Sequence, residues 1–472
     1  METETLFQYL YRVLREQILS QTLREGSLFP SSRELSRTYN VGIRTVKDVM
    51  HKLHDDGYIR MQERKRAVVI YHKDNEKERI EKLLSMHERS IDVLYASNYI
   101  FPSYYARAAK LLHTKDLIVL QDMLNTLADK QYKTYYKVVQ EFHLYILSRY
   151  HNPMITDLYL HVEHCIHIPR MDNEVPCPYS QQKITQILNT VLDHYRHHKT
   201  EYIFSIYRQL HKDLMRYSET QLHRHGQTQT ITPSRFIWNP QKGHTSQYTR
   251  VFHHLVHKIT SGVYQDGDYL PSIEVLAQEY AVSRHTMRKA LRHLHAIGLV
   301  EIKNGIGTQC TFYKGLSEST LLKDEEMIQA ALMYLSSFQI IAMNIRSLSY
   351  SCFSMIRSAY FQKETHTTAH KEPKWFIQTL IQQLPRSALK TIYSEIREVI
   401  LWGSYFSIAG IDPQHEEMLR HHYKIVLSHL RHKRPHEFAF EVEALYVSLF
   451  HMMCQYIRSM GIQEAELVPL PV

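Results

Sequence analysis

The chain has 472 residues and a mass of 56.1 kDa, enough for about three or four domains. Apolar residues make up 44% and charged residues 22%, which excludes wholesale disorder, and the net charge of +9 favours a polyanionic partner. Glycine is scarce, 14 of 472, which argues against nucleotide- or cofactor-binding α/β enzymes built on glycine-rich turns and predicts a mainly α protein.

The first predicted unit spans residues 1–73. Leu6, Leu10, Leu14 and Ile18 mark an amphipathic helix. A turn runs from Gly26 to Pro30, and Ser31 is placed to cap a short helix carrying Leu35. A tight turn at Asn40-Val41-Gly42 leads to a third helix with Val46, Val49, Met50 and Leu53 on one face. Gly57 closes it as a left-handed cap. Two β-like runs follow, Tyr58–Met61 and Ala67–Tyr71, with Arg64, Lys65 and Arg66 between them. Three helices and a hairpin make a winged helix-turn-helix.

Residues 75–220 carry helical periodicity and read as a bundle. The polar stretch 221–245 reads as a linker. A second winged helix-turn-helix spans 246–315, with its hairpin turn at Asn304-Gly305. Residues 318–465 form a second predicted helical bundle. No run approaches the ~18 apolar residues of a membrane span. The five cysteines have no Cys-x-x-Cys spacing, and Met1-Glu2-Thr3-Glu4 has no apolar signal core. The expected setting is a reducing, bacterial-type cytoplasm, away from membranes.

The two units are copies. Ile18 recurs as Ile259, an offset of 259 − 18 = 241 residues, and the same offset carries Gly26 to Gly267 and Pro30-Ser31 to Pro271-Ser272. Leu35, Tyr39, Val41 and Thr45 recur as Leu276, Tyr280, Val282 and Thr286. Leu53-His54 and Gly57 recur as Leu294-His295 and Gly298. Turn glycines, the proline and the apolar helix positions repeat together, so this is an internal duplication.

A third helix of this kind enters the DNA major groove and meets base edges with its first residues. In the first copy those are Arg44, Thr45 and Lys47; in the second, Ser283, Arg284, His285, Thr286, Arg288 and Lys289. Arginine pairs bidentately with guanine, while Thr, Ser and Lys hold phosphate. One such helix alone reads best as a solvated face; basic residues at the same place in two copies read as DNA contacts. The first wing brings charge, Arg64, Lys65 and Arg66. The second brings Gly305 and Gly307, which let backbone approach the sugar–phosphate.

These residues resemble the GntR family of bacterial transcription regulators. The second copy carries the resemblance through Gly267-Asp268, Leu270-Pro271-Ser272, Val282-Ser283-Arg284, Arg288-Lys289-Ala290-Leu291 and Gly305-x-Gly307-Thr308. The first carries it through Pro30-Ser31-Ser32-Arg33-Glu34-Leu35. The resemblance implies DNA contacts from Ser31, Arg33 and Ser272 as well. Each copy departs from the family once: Glu274 stands where the first copy keeps Arg33, and Gly42-Ile43 stands where the second keeps Ser283-Arg284. Unlike half-sites in the operator follow, unless one copy has become mainly structural.

Glu141-Phe142-His143 and Asn152-Pro153-Met154 resemble the FCD-like helical domain of FadR-type members. That resemblance implies an Asp and three His around a divalent metal that holds a carboxylate effector. Carried onto this chain, the positions fall on Val139, His143, Asn189 and His211, so the metal expectation rests on His143 and His211. His422 stands in the second bundle where Asn189 stands in the first, which completes the expected effector-pocket set. It lies in a run with His421, His429, His432 and His436, and no carboxylate partner is evident. Solvated histidines are the plainer reading of that run, and of most of the chain's 32.

The leading expectation is a covalent pseudo-dimer: a transcription regulator with two DNA readers on one chain, acting as a monomer or as a homodimer with four readers. An architectural DNA-binding protein without effector is the second. A regulator fused to a pyridoxal phosphate enzyme is the third, and the second reader stands where its core would lie.

Overall fold

In the computed structural model, the residues described are 6–19, 23–39, 41–62, 65–71, 76–127, 132–166, 178–225, 236–240, 247–260, 262–296, 298–311, 325–363, 373–403, 413–459 and 461–471. The chain is mainly α. Its four described strands form two separate two-stranded hairpins.

The first compact unit comprises residues 1–94, 162–178 and 212–244. It holds the first winged helix: α1 (Leu6–Leu19), α2 (Ser32–Tyr39), α3 (Ile43–Asp55), β1 (Ile59–Arg60) and β2 (Val68–Val69). Leu10, Val13, Leu14 and Ile18 share one face of α1 and are buried, with Phe29, Leu35, Val46, Val49 and Leu53 in the same core. Ser31 and Glu34 form a capping box: the Ser31 hydroxyl accepts from the Glu34 amide at 3.2 Å, and the Glu34 carboxylate accepts from the Ser31 amide at 2.7 Å. Gly57, at φ 76°, turns the chain out of α3. The hairpin is shorter than the alternation suggests, pairing Ile59 with Val69 and Arg60 with Val68.

Three helices of the first bundle contribute residues to this unit: the start of α4 (Glu76–Arg107), the end of α7 (Pro153–Ile166) and the end of α9 (Thr200–His225). Arg89 of α4 clamps Glu16 of α1 with two bonds, 2.8 and 3.1 Å, both side chains at most 2% exposed. The described residues of the stretch expected as linker include helix and core. Helix α9 continues to His225, and Phe236 and Trp238 are buried.

The second unit comprises residues 95–161, 179–211 and 245–472. It contains the rest of the first bundle, including α5 (Thr114–Asn125), α6 (Tyr132–Ser148) and α8 (Gln181–Arg196). The second winged helix follows as α10 (Gln247–Thr260), α11 (Ile273–Glu279), α12 (Arg284–Ala296), β3 (Val300–Lys303) and β4 (Gly307–Cys310). The second bundle is α13 (Glu325–Ser351), α14 (Phe353–Lys363), α15 (Pro373–Gln383), α16 (Ser387–Trp402), α17 (Pro413–Arg431) and α18 (Pro435–Ser459).

The duplication holds in three dimensions. The bounds of α10 and α12 are those of α1 and α3 moved by 241 residues. Hydrogen bonds repeat too. Gly26 donates to Val69 at 2.8 Å as Gly267 donates to Cys310 at 2.9 Å, and Phe29 donates to Ala67 as Leu270 donates to Thr308, both at 2.8 Å. His54 and His295 bond the carbonyls of Ile59 and Val300 at 3.0 and 2.9 Å.

Within the second unit, first-bundle residues pack directly on α13. Gln339 is fully buried. Its carbonyl accepts from Asn152 at 2.7 Å, and its amide donates to the carbonyls of Tyr150 at 3.2 Å and Pro469 at 2.6 Å. Arg107 reaches Glu443 of α18 at 2.9 Å.

One helix bears on the expectation about membrane spans. The stretch Ile328–Ser351 is long and apolar enough to cross a membrane by length and composition. Ser, Gln and Asn break its consecutive apolar runs while the Ile, Leu, Met, Phe and Ala between them keep the stretch apolar on average, so counting runs misses it. Its most apolar part is 72% buried inside the protein, which suits a core helix.

Candidate nucleic-acid interface

Both readers present polar side chains at the start of the third helix because the other face of that helix is spent on the core. In α3, Val46, Val49, Met50 and Leu53 point inward, leaving Arg44 and Lys47 exposed and Thr45 half-buried. Arg33 on α2 and Lys65 and Arg66 in the wing are exposed as well. Arg66 is not free of the protein: its guanidinium contacts the Glu34 carboxylate at 2.9 Å. Ser31 spends its hydroxyl on the capping box. Arg64 lies outside the described residues.

In α12, Met287, Ala290, Leu291 and Leu294 are buried, and Arg284, His285 and Arg288 are exposed. Ser283 caps the helix by accepting from the Thr286 amide at 3.1 Å, and its hydroxyl meets that of Thr286 at 2.8 Å. Ser272 caps α11 in the same way, accepting from Val275 at 3.3 Å. Lys289 is committed elsewhere: its ammonium lies 3.6 Å from the centre of the Tyr248 ring on α10. In the wing, Gly305 has φ 77° and Gly307 has φ 148°, and a Cβ on Gly307 would sit 3.3 Å from Tyr269. Both positions need glycine for the fold, whatever else they do.

Of the expected effector and metal residues of the first bundle, His143 and His211 come together and Asn189 does not. His143 is held by its Nδ1, which donates to the Val139 carbonyl at 2.8 Å. Its ring sits among Tyr105, Tyr159 and Tyr207 with centroids 5.3–5.9 Å away. Burial pushes the His143 imidazole down to about 4, partly offset by the Val139 carbonyl, and pushes His211 down to about 3 with help from His143 nearby. Both are neutral at pH 7. The His211 Nδ1 has no hydrogen-bond partner among the described residues. Asn189 does not join them; it is exposed, and its amide bonds the Thr185 carbonyl of its own helix at 2.9 Å.

With Val139 in place of a carboxylate and Asn189 turned away, two imidazoles remain. Two imidazoles without a carboxylate fall short of the three or four protein donors of a zinc-type site. No group of three or more His, Cys, Asp or Glu suited to an ion occurs among the described residues.

In the second bundle, His422 does have a carboxylate partner. Its Nδ1 meets Glu441 of α18 at 2.6 Å. Glu441 is 19 residues away on the next helix, so no local spacing announces it. His421 and His432 are exposed, and the His436 ring lies tilted against Tyr350, 4.6 Å between centroids.

Comparison with known proteins agrees with this geometry. Residues 6–69 and 247–309 each match the family described as bacterial regulatory proteins, gntR family. The chain carries two gntR-family winged helix-turn-helix domains. Over 77 residues the chain is 39% identical to the HTH-type transcriptional regulator LutR of Bacillus subtilis (strain 168), a stretch covering 15% of this chain. That stretch spans 35% of the length of LutR.

Among solved structures, Lar, described as controlling expression of the Listeria monocytogenes agr system, is 18% identical, with 47% of this chain and 99% of that one covered and a TM-score of 0.22. A GntR family member from Pseudomonas syringae pv. tomato str. DC3000 is 15% identical, with 47% and 88% covered and a TM-score of 0.20. Scores this low do not compare the folds.

Proposed function

We propose that the protein is a sequence-specific DNA-binding transcription regulator in which one chain supplies both readers of an operator. The observation that carries this is the duplication: two gntR-family units repeat helix for helix, and each exposes basic residues where its third helix begins. In such a unit the exposed start of the third helix enters the major groove. The DNA-contact set is Arg33, Arg44, Thr45, Lys47, Lys65 and Arg66 in the first reader and Arg284, His285, Thr286 and Arg288 in the second.

The packing of Tyr150–Asn152 and Arg107 on the second bundle supports the pseudo-dimer. Bundles that pair within one chain take the place of two subunits. Linkage in one polypeptide raises the effective concentration of the second reader at an operator. The bundles, 75–220 and 318–465, set the spacing of the readers, and a small effector acts by binding one spacing better than the other. Any effector that reaches His143 and His211 meets neutral imidazoles and tyrosine rings, without a metal. The role is regulatory rather than catalytic, and it is exercised in the cytoplasm where the DNA is.

Footprinting the full chain on the DNA flanking its own gene tests this reading. Two adjacent protected segments at one site support it. Uniform protection of all DNA, unaffected by sequence, would instead make the protein architectural.

A further inference from the structure

Two of the positions at which the aligned readers differ change the charge of the reading face. Position 33 of the first reader matches 274 of the second, and position 43 matches 284. The first reader therefore has Arg33 and Ile43, and the second has Glu274 and Arg284.

In the second reader these two side chains meet. The Glu274 carboxylate lies 3.6 Å from the Nε of Arg284, with the side chains 50% and 66% exposed. The carboxylate approaches the guanidinium from its Nε side, which leaves the Nη nitrogens for a guanine O6/N7 edge. It also puts a negative charge on the reading face, where it opposes a nearby phosphate.

In the first reader the matching place is apolar. Ile43 is the first residue of α3 and is 46% exposed, one of the large hydrophobic side chains left in solvent. It has no hydrogen-bonding group. Beside it, Gly42 has φ −54°, and an added Cβ would meet nothing within 4 Å. The fold therefore does not need glycine there, and its small size lets a groove wall come close to Ile43. Arg33, exposed and outside the ion pairs of the described residues, replaces the acid with a positive charge.

We infer that Ile43 is a specificity residue that packs on a thymine 5-methyl group, at the half-site position where Arg284, braced by Glu274, takes guanine. Thymine is the base that offers an apolar group in the major groove, and apolar side chains read it by contact. The operator is thus asymmetric in a defined way: thymine in one half-site faces guanine in the other. This rests on the DNA-binding reading proposed above.

The test uses the full chain and a duplex library with a random core. Repeated selection should enrich two unlike half-sites, one with guanine and one with thymine at matched positions. Replacing that thymine by deoxyuridine changes only the methyl group and should weaken binding about fourfold, the value of one buried carbon. The Ile43→Ala chain should be insensitive to the same replacement. The Ile43→Arg chain should move the preference at that position from thymine towards guanine. Two identical half-sites, or a deoxyuridine duplex bound as tightly as the thymine one, would overturn the inference while leaving DNA binding intact. A library from which no sequence is enriched would instead remove the DNA-binding reading itself.

Discussion

Asn152 donates to the Gln339 carbonyl at 2.7 Å across 187 residues of sequence, with both side chains almost fully buried. Gln339 also bonds the main chain at Tyr150 and at Pro469, so one amide ties together the first bundle, α13 and the C-terminal tail. A buried polar group with its bonds made is cheap, and one left with orphaned partners is expensive. Gln339→Leu strands the Tyr150 and Pro469 carbonyls, while the Asn152 amide keeps the Ser336 carbonyl at 3.0 Å. It should lower stability by about 2 kcal/mol or more, since each orphan costs about 1–3 kcal/mol. Urea unfolding checks this, and a loss below about 1 kcal/mol would mean water replaces the amide.

The Arg89–Glu16 clamp joins the first reader to α4 inside the first unit. Removing one partner of a buried pair leaves an uncompensated charge, at about 3–5 kcal/mol. Glu16→Gln should therefore destabilise strongly. Replacing both residues by apolar ones of similar size should recover most of that loss. Denaturation of the two variants side by side measures the difference.

Three buried histidines set an acid limit. Burial holds His143 and His253 at about 4 and His211 at about 3, below the ordinary value near 6.5. In the unfolded chain they take up protons as pH falls through about 6.5, while in the folded chain they stay neutral. Protons then favour unfolding, so the stability present above about pH 6.5 is lost progressively down to about pH 3–4. His143→Gln should flatten the decline in midpoint between about pH 6.5 and 4. An unchanged decline would show that His143 titrates normally in the fold.

The charged wing should govern salt dependence. Every phosphate deprived of its Lys or Arg flattens the slope of log affinity against log salt by about 0.9. Lys65→Ala with Arg66→Ala should flatten it by the share of one or two phosphates on any DNA. The smaller change applies if Glu34 keeps Arg66 from phosphate. Arg284→Ala should act differently, relaxing preference at one half-site by about 1–3 kcal/mol. Binding measured from low to high salt on selected and unrelated duplexes separates the two effects.

The parts legible in the sequence are those fixed by local rules. The Ser31 cap, the Gly57 turn and the apolar faces of α1 and α3 each follow from residues a few positions apart, and their recurrence at a constant offset doubles the signal. What the sequence hides is pairing between distant elements. Glu441 beside His422, Glu16 beside Arg89 and Tyr248 beneath Lys289 depend on how helices pack, which no spacing reports. The failed metal set has a similar cause. Val139 is visibly unfit for a ligand, but only the fold shows Asn189 facing away.

The central claim, that one chain reads two half-sites, is tested most directly by the mass of the complex formed with a duplex carrying a single selected operator. Analytical ultracentrifugation should find one chain per duplex with both half-sites protected. Two chains on that duplex, or one chain protecting a single half-site, would contradict it.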